Sequence, residues 1–177
     1  LLHNESTIWT IGESASTALE QLAESGDNSE LLAESFVLAG ASGTGMLMPG
    51  ASESIEVVIT DMQPQLFSMV TMLVNTNDAF SGVNALDLSN MEVGESISMR
   101  TSSYDAGTEK NSESSASIPG PASGGTGEGF NEARDDVDFV AMHPGVVSTD
   151  DGLSTSVLTQ AHRFDNPTLA VTITRTE

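Results

Sequence analysis

The nine residues Leu66-Phe67-Ser68-Met69-Val70-Thr71-Met72-Leu73-Val74 form an apolar run of strand length. A run this long, bounded by polar turn residues, suits a strand buried inside a sandwich and is far too short to cross a bilayer as a helix. Around it the dominant periodicity is two. Leu169, Val171 and Ile173 alternate with Thr168, Ala170, Thr172 and Thr174, the pattern of a half-buried strand. Val137, Phe139 and Ala141 alternate with Asp136, Asp138 and Val140, Ser96 to Ser102 alternates more weakly, and Ile55 to Ile59 is compact and β-branched. Each of these segments is expected to be a strand. Helical spacing occurs only near the front of the chain. Thr17-Ala18-Leu19-Glu20 reads as a capping box ahead of Leu22 and Ala23, and Gly26 can stop the helix. Asp27-Asn28-Ser29-Glu30 offers a second cap before Leu31, Leu32 and Phe36. The sum is an all-β fold, an antiparallel β-sandwich with one or two short helices near the N-terminus.

The chain has 177 residues, which fits a single domain spanning 1–177. A domain of this size buries roughly 70% of its unfolded surface and needs no covalent staple. It has no cysteine, which removes disulfides, thiolate metal sites and cysteine nucleophiles. Residues 108–135 form a long polar loop rich in Gly, Ser and Pro, the kind of segment that carries a role or lacks fixed structure. The chain starts at Leu1-Leu2-His3 without an initiator Met, and is read as a form from which any export signal has been removed.

Charge narrows the partners. There are 26 Asp and Glu against 5 Lys and Arg, a net charge of −21. Lys and Arg drive phosphate binding, so such a chain repels nucleic acid and anionic membranes. It attracts cations. Most of these acids suit a solvated surface, and a few can form a cation site.

Catalytic patterns are missing. His3, His143 and His162 sit in no zinc-binding spacing, and no G-x-S-x-G elbow occurs. Gly40-Ala41-Ser42-Gly43-Thr44-Gly45 lacks the Lys of a phosphate-binding loop. The turns around His143 and His162 are expected to hold these rings by local packing or hydrogen bonds. The chain is therefore expected not to be an enzyme; a hydrolase using His143 or His162 is the least supported alternative.

Two acidic turns carry the remaining chemistry. The run from Phe67 leads into Asn75-Thr76-Asn77-Asp78-Ala79-Phe80 and then Ser81-Gly82-Val83-Asn84-Ala85-Leu86-Asp87-Leu88; later comes Tyr104-Asp105-Ala106-Gly107-Thr108-Glu109. Two loops that leave a sandwich at one end can bring their carboxylates together. Calcium takes about six to eight oxygen ligands, which such loops supply. The bland alternative is that Asp78 and Asp105 cap their turns.

These segments resemble the spondin N-terminal domain family, known from F-spondin and mindin and widespread in bacteria. The Tyr-Asp-Ala-Gly-Thr-acid motif is the most specific piece. Ile11-Gly12-Glu13, Leu22-Ala23-Glu24-Ser25-Gly26-Asp27 and Ala170-Val171-Thr172-Ile173-Thr174 are also similar to bacterial members. The resemblance implies a C2-like sandwich, secreted or at the cell surface, that binds one Ca2+ at one end. Its ligands would fall on Asp78, Asp105 and, from a preceding strand, Glu56, with Asp61 competing for that third place. Glu109 and Asp87 would be outer groups. The implied role is a non-catalytic adhesion or binding module. The adhesion partners of the cysteine-bearing animal members do not transfer to a chain without cysteine.

The family's first strand normally precedes the His3-Asn4-Glu5 region. Here almost nothing precedes it: either the strand was trimmed, or a sheet edge is left open. The alternative role that follows is a structural subunit of an extracellular filament or sheath, a homo-oligomer assembled by strand donation.

Overall fold

A computed structural model describes residues 1–4, 7–59 and 66–177. The protein is all-β and antiparallel, with two short helices. The strands are β1 (Leu2–His3), β2 (Val37–Ala39), β3 (Leu66–Met72), β4 (Ala79–Asp87), β5 (Ser96–Thr101), β6 (Ser103–Asp105), β7 (Pro119–Gly120), β8 (Gly125–Thr126), β9 (Ala141–Met142) and β10 (Leu169–Thr174). The helices are α1 (Thr17–Ser25) and α2 (Ser29–Ala33). A six-stranded sheet runs β2-β1-β3-β4-β6-β9; β10 pairs with β5, and β7 with β8. The result is the sandwich-like arrangement expected from the sequence.

The apolar run becomes β3 and pairs with β4 from Leu66↔Asp87 to Met72↔Phe80. The register slips between Phe67 and Met69. There Ser68, fully buried, accepts a hydrogen bond from the Ala85 amide at 2.8 Å and shares another with His3 Nε2 at 2.8 Å. Gly82 lies where the two strands come closest. A Cβ there would stand 1.9 Å from the Met69 carbonyl oxygen, so no other residue fits.

α1 begins one residue earlier than its sequence suggests. Ser16, not Thr17, is the N-cap, and its hydroxyl accepts from the Leu19 amide. Gly26 ends the helix in the left-handed conformation, as its position predicts. Asp27 caps the start of α2 by accepting from the Ser29 amide at 2.9 Å. The buried face of α1, with Leu19, Leu22 and Ala23, packs with Trp9, Phe80 and Val140 in the main core. Trp9, Phe80 and Tyr104 meet there with ring centroids 5.2 to 5.4 Å apart. A smaller core joins Ile118, Val146 and Leu158, with Ala122 and Phe164 against it.

Four expectations are corrected. Residues 51–59 contain no strand, and Ile55 and Val58 are exposed: β-branched residues favour a strand only where a partner and a core await them. The alternation at 137–141 yields only β9, because Val137 and Phe139 face solvent and Asp138 takes a positive φ. Residues 108–135 are not structureless. They contain β7 and β8, and are tied down by Asn75 N–H donating to the Pro119 carbonyl and Asn131 N–H donating to Glu24 Oε2. Finally, Leu2–His3 is not an open edge: β1 pairs with β2 on one side and β3 on the other.

Candidate cation site

Both acidic turns end on neighbouring strands. Asp78 immediately precedes β4, Asp105 is the last residue of β6, and Ala79 pairs with Asp105 in the β4–β6 register. The Asp78 carbonyl also accepts from the Ala106 amide at 3.2 Å. The two carboxylates expected to meet are thus neighbours in the sheet, and both are buried. Their hydrogen bonds are set by the Tyr104–Glu109 segment. Asp105 Oδ1 accepts from the Gly107 amide at 2.8 Å, a local Asx turn, and its Oδ2 accepts from Asn111 Nδ2 at 2.7 Å. Asp78 Oδ2 accepts from the Thr108 amide at 2.8 Å, the Glu109 amide at 3.1 Å and the Thr108 hydroxyl at 3.2 Å. The same hydroxyl lies 2.8 Å from Glu24 Oε1, which brings α1 to the site.

The glycine in this segment has a physical reason. Gly107 has φ +72, and a Cβ there would stand 2.3 Å from the Phe139 carbonyl oxygen. The 137–139 backbone lies directly over the turn, with Asp138 N–H donating to the Gly107 carbonyl at 2.8 Å.

The bland reading, that these aspartates only cap turns, accounts for half of Asp78. Its Oδ1 is buried with no hydrogen-bond partner among the described residues. So are Asn77 Oδ1, Glu109 Oε1, Asn111 Oδ1 and Glu113 Oε2. All five atoms are acceptors. Asn77 and Asn111 use their amide nitrogens on the Glu109 carbonyl and on Asp105, which leaves the oxygens over. A buried acceptor without a donor costs about 1–3 kcal/mol, and native proteins keep few of them.

The electrostatics agree. Burial, and then the charge of Asp105, push the Asp78 carboxyl up to about 7. Burial, with Glu128, Glu24 and Asp78 adding to it, pushes Glu109 up to about 9. Glu24 and Glu113 are raised as well, burial being the main cause in each. Asp105 is the common neighbour, its charge acting on Asp78, Glu113, Asp136 and His143. The carboxyls of Asp78, Glu109, Glu24 and Glu113 are easier to keep neutral, or to neutralise with a cation, than to bury charged.

Among the described residues, no three Asp, Glu, His or Cys side chains gather closely enough to hold an ion by themselves. Any cation here must draw on amide and carbonyl oxygens and water beside a pair of carboxylates, a donor mixture that suits calcium. Glu56 is exposed in the strandless 51–59 segment, and no interaction among the described residues joins it to Asp78 or Asp105. Asp61 lies outside the described residues. Asp87 is on the far end of β4, where it caps Ser89. Glu24 and Glu113 had no local signal: nothing in their sequence neighbourhoods marks them as buried.

The histidines behave as their turns suggest. His143 Nδ1 accepts from the Gly145 amide at 3.0 Å, and His162 Nδ1 from the Thr159 amide at 3.0 Å. His143 also packs on Phe164, and burial lowers its pKa.

Fold and site together define an antiparallel, sandwich-like domain with an acceptor-rich pocket of acids at the junction of two turns. The family model Spondin_N matches residues 2–121, and the chain belongs to the spondin N-terminal domain family, a module generally found in extracellular proteins. No curated protein matches the chain. The matched segment ends within the 108–135 loop; β9 and β10, beyond it, complete the β6 and β5 pairings. No helix among the described residues is long and apolar enough to cross a membrane.

Proposed function

We propose that this domain is a non-catalytic, calcium-binding adhesion or binding module that works outside the cell. The observation that carries the reading is the set of buried, donorless oxygens beside two neighbouring carboxylates: Asp78 Oδ1, Asn77 Oδ1 and Asn111 Oδ1 around the Asp78–Asp105 pair. A divalent cation would satisfy acceptors that no protein donor reaches, and would offset the mutual repulsion of Asp78 and Asp105. The ion would pin the Asn75–Asp78 turn to the Asp105–Asn111 turn. Because those turns also hold α1 and the 137–139 backbone, ion binding would couple to the stability of the whole fold. Extracellular calcium is millimolar, so even a modest site would stay filled there.

Thermal unfolding after chelation tests this. At free calcium of 100 times the dissociation constant, one site adds about 2.7 kcal/mol, or roughly 5–10 °C in the midpoint for a domain of this size. The shift should be much smaller with magnesium, and Asp105→Ala should remove it. A calcium response that Asp105→Ala leaves intact would show that the ion binds elsewhere.

A further inference from the structure

Glu109 also lines a pocket of about 210 Å³, together with Glu128, Asp135, Lys110, Ser114 and Ser117 among others. Glu109 is only 4% exposed, and its Oε1 has no hydrogen-bond partner among the described residues. Its carboxyl stands within hydrogen-bonding reach of that of Glu128. Two carboxylates cannot bond to each other without something positive between them, either a shared proton or a cation. Among the described residues, no basic side chain forms an ion pair with Glu109 or Glu128. Lys110 is exposed, and no ion pair among the described residues joins it to either glutamate. Asp135 Oδ1 is occupied by the Lys110 amide, and Glu128 Oε2 accepts from Asn131 Nδ2 at 3.0 Å; neither bond neutralises the pair.

We propose that Glu109 and Glu128 form a second divalent-cation site, separate from the Asp78–Asp105 pair, in which the two carboxylates hold a partly hydrated ion. The pocket's size supports a hydrated ion. At about 30 Å³ of liquid volume per water it holds several waters beside the metal, and the Ser114 and Ser117 hydroxyls can orient them. Its composition selects a hard cation, since every side-chain ligand on offer is an oxygen. Glu109 lies inside the segment that the family model matches, and Glu128 lies beyond it.

Calorimetric titration of the chelator-treated chain with calcium tests the proposal. The wild type should take up two ions, Glu128→Gln one, and Asp105→Asn the other one. Glu128 is exposed, and Gln keeps the acceptor for Asn131, so Glu128→Gln should fold normally, which near-ultraviolet circular dichroism checks. The affected ion should bind at least about tenfold more weakly, or be lost. If Glu128→Gln leaves the number of ions and their affinities unchanged, the second site is overturned, whatever Asp105→Asn does. If both variants lose the same single ion, a separate site is likewise overturned. If Glu128→Gln loses an ion that Asp105→Asn keeps, the second site stands even where the first proves wrong.

Discussion

Asp78 takes three hydrogen bonds on one carboxylate oxygen and none on the other. That asymmetry makes it more than a turn cap, and it has a pH consequence. Asp78 and Glu109 are raised to about 7 and about 9 in the folded chain, above their unfolded values near 4. Between those limits the folded state binds more protons than the unfolded one. Stability of the calcium-free domain should therefore be fullest in acid and fall as pH rises through 7 and towards 9. Calcium displaces those protons, so the calcium response should be small below neutrality and grow above it. Urea titrations at several pH values, with chelator and with calcium, give both curves. A calcium-free domain that gains stability as pH rises across this range would contradict the assignment. Gly107 makes a second residue-scale test. Gly107→Ala puts a Cβ at positive φ and against the Phe139 carbonyl, and should cost roughly 2–4 kcal/mol in denaturant unfolding. A loss under about 0.5 kcal/mol, the scale of an ordinary surface change, would mean that the 137–139 backbone yields easily. Both aspartates and the glycine were legible in the sequence, because a turn motif is local. Glu24 was not, because its burial depends on a threonine 84 positions away.

At the scale of elements, the 130–138 segment is strapped across α1 by Arg134 as well as by the Asn131–Glu24 bond. Arg134 donates to both Glu20 oxygens, at 3.0 and 2.6 Å, to the Ala15 carbonyl at 2.8 Å and to Asp138. Glu20 is almost fully buried, and the paired guanidinium is raised further above its already high pKa. Arg134→Ala leaves a buried carboxylate unpaired and should cost about 3 kcal/mol; Arg134→Lys, a single point charge without the fork, should recover only part. Chemical unfolding of the two variants measures this, and equal stability of wild type and Arg134→Ala would show that the Arg134–Glu20 pair adds nothing net to the fold. None of this is readable from periodicity. Glu20 sits in a helix whose acidic first turn looks like a dipole partner, and Arg134 sits in a loop. The strands fared unevenly for a related reason. β3, β5 and β10 were legible because partners were available to them, whereas 55–59 shows the same residue types with no partner.

At the scale of the molecule, a net charge of −21 on 177 residues sets a standing repulsion. Much of it is carried by exposed acids, and salt screens such charge over roughly 10 Å at 0.1 M. The calcium-free domain should therefore unfold a few degrees higher in ~0.5 M sodium chloride than in dilute buffer. Thermal scans with chelator present decide it; a midpoint that falls with salt would mean that attractive pairs such as Arg134–Glu20 outweigh the repulsion. Two cores share the burden of folding, one around Trp9, Phe80 and Tyr104, the other around Ile118, Val146 and Leu158. Glu113 ties the second core towards the acidic turns: its carbonyl accepts from Val157 and its Oε1 from Val147, while the charge of Asp105 acts on it.

The sequence by itself determined what depends on neighbours along the chain. That covers the β3 and β10 strands, the α1 stop at Gly26, the cysteine-free chemistry, the acidity, and the two turns whose motifs mark the family. The tertiary structure alone decided which carboxylates lose water. Glu24 and Glu113 look like any other surface glutamates in a chain this acidic, whereas Glu109 stands in the family's turn motif. Burial is a property of long-range packing: an acid loses its water only where distant segments close over it. No pattern of nearby residues records that.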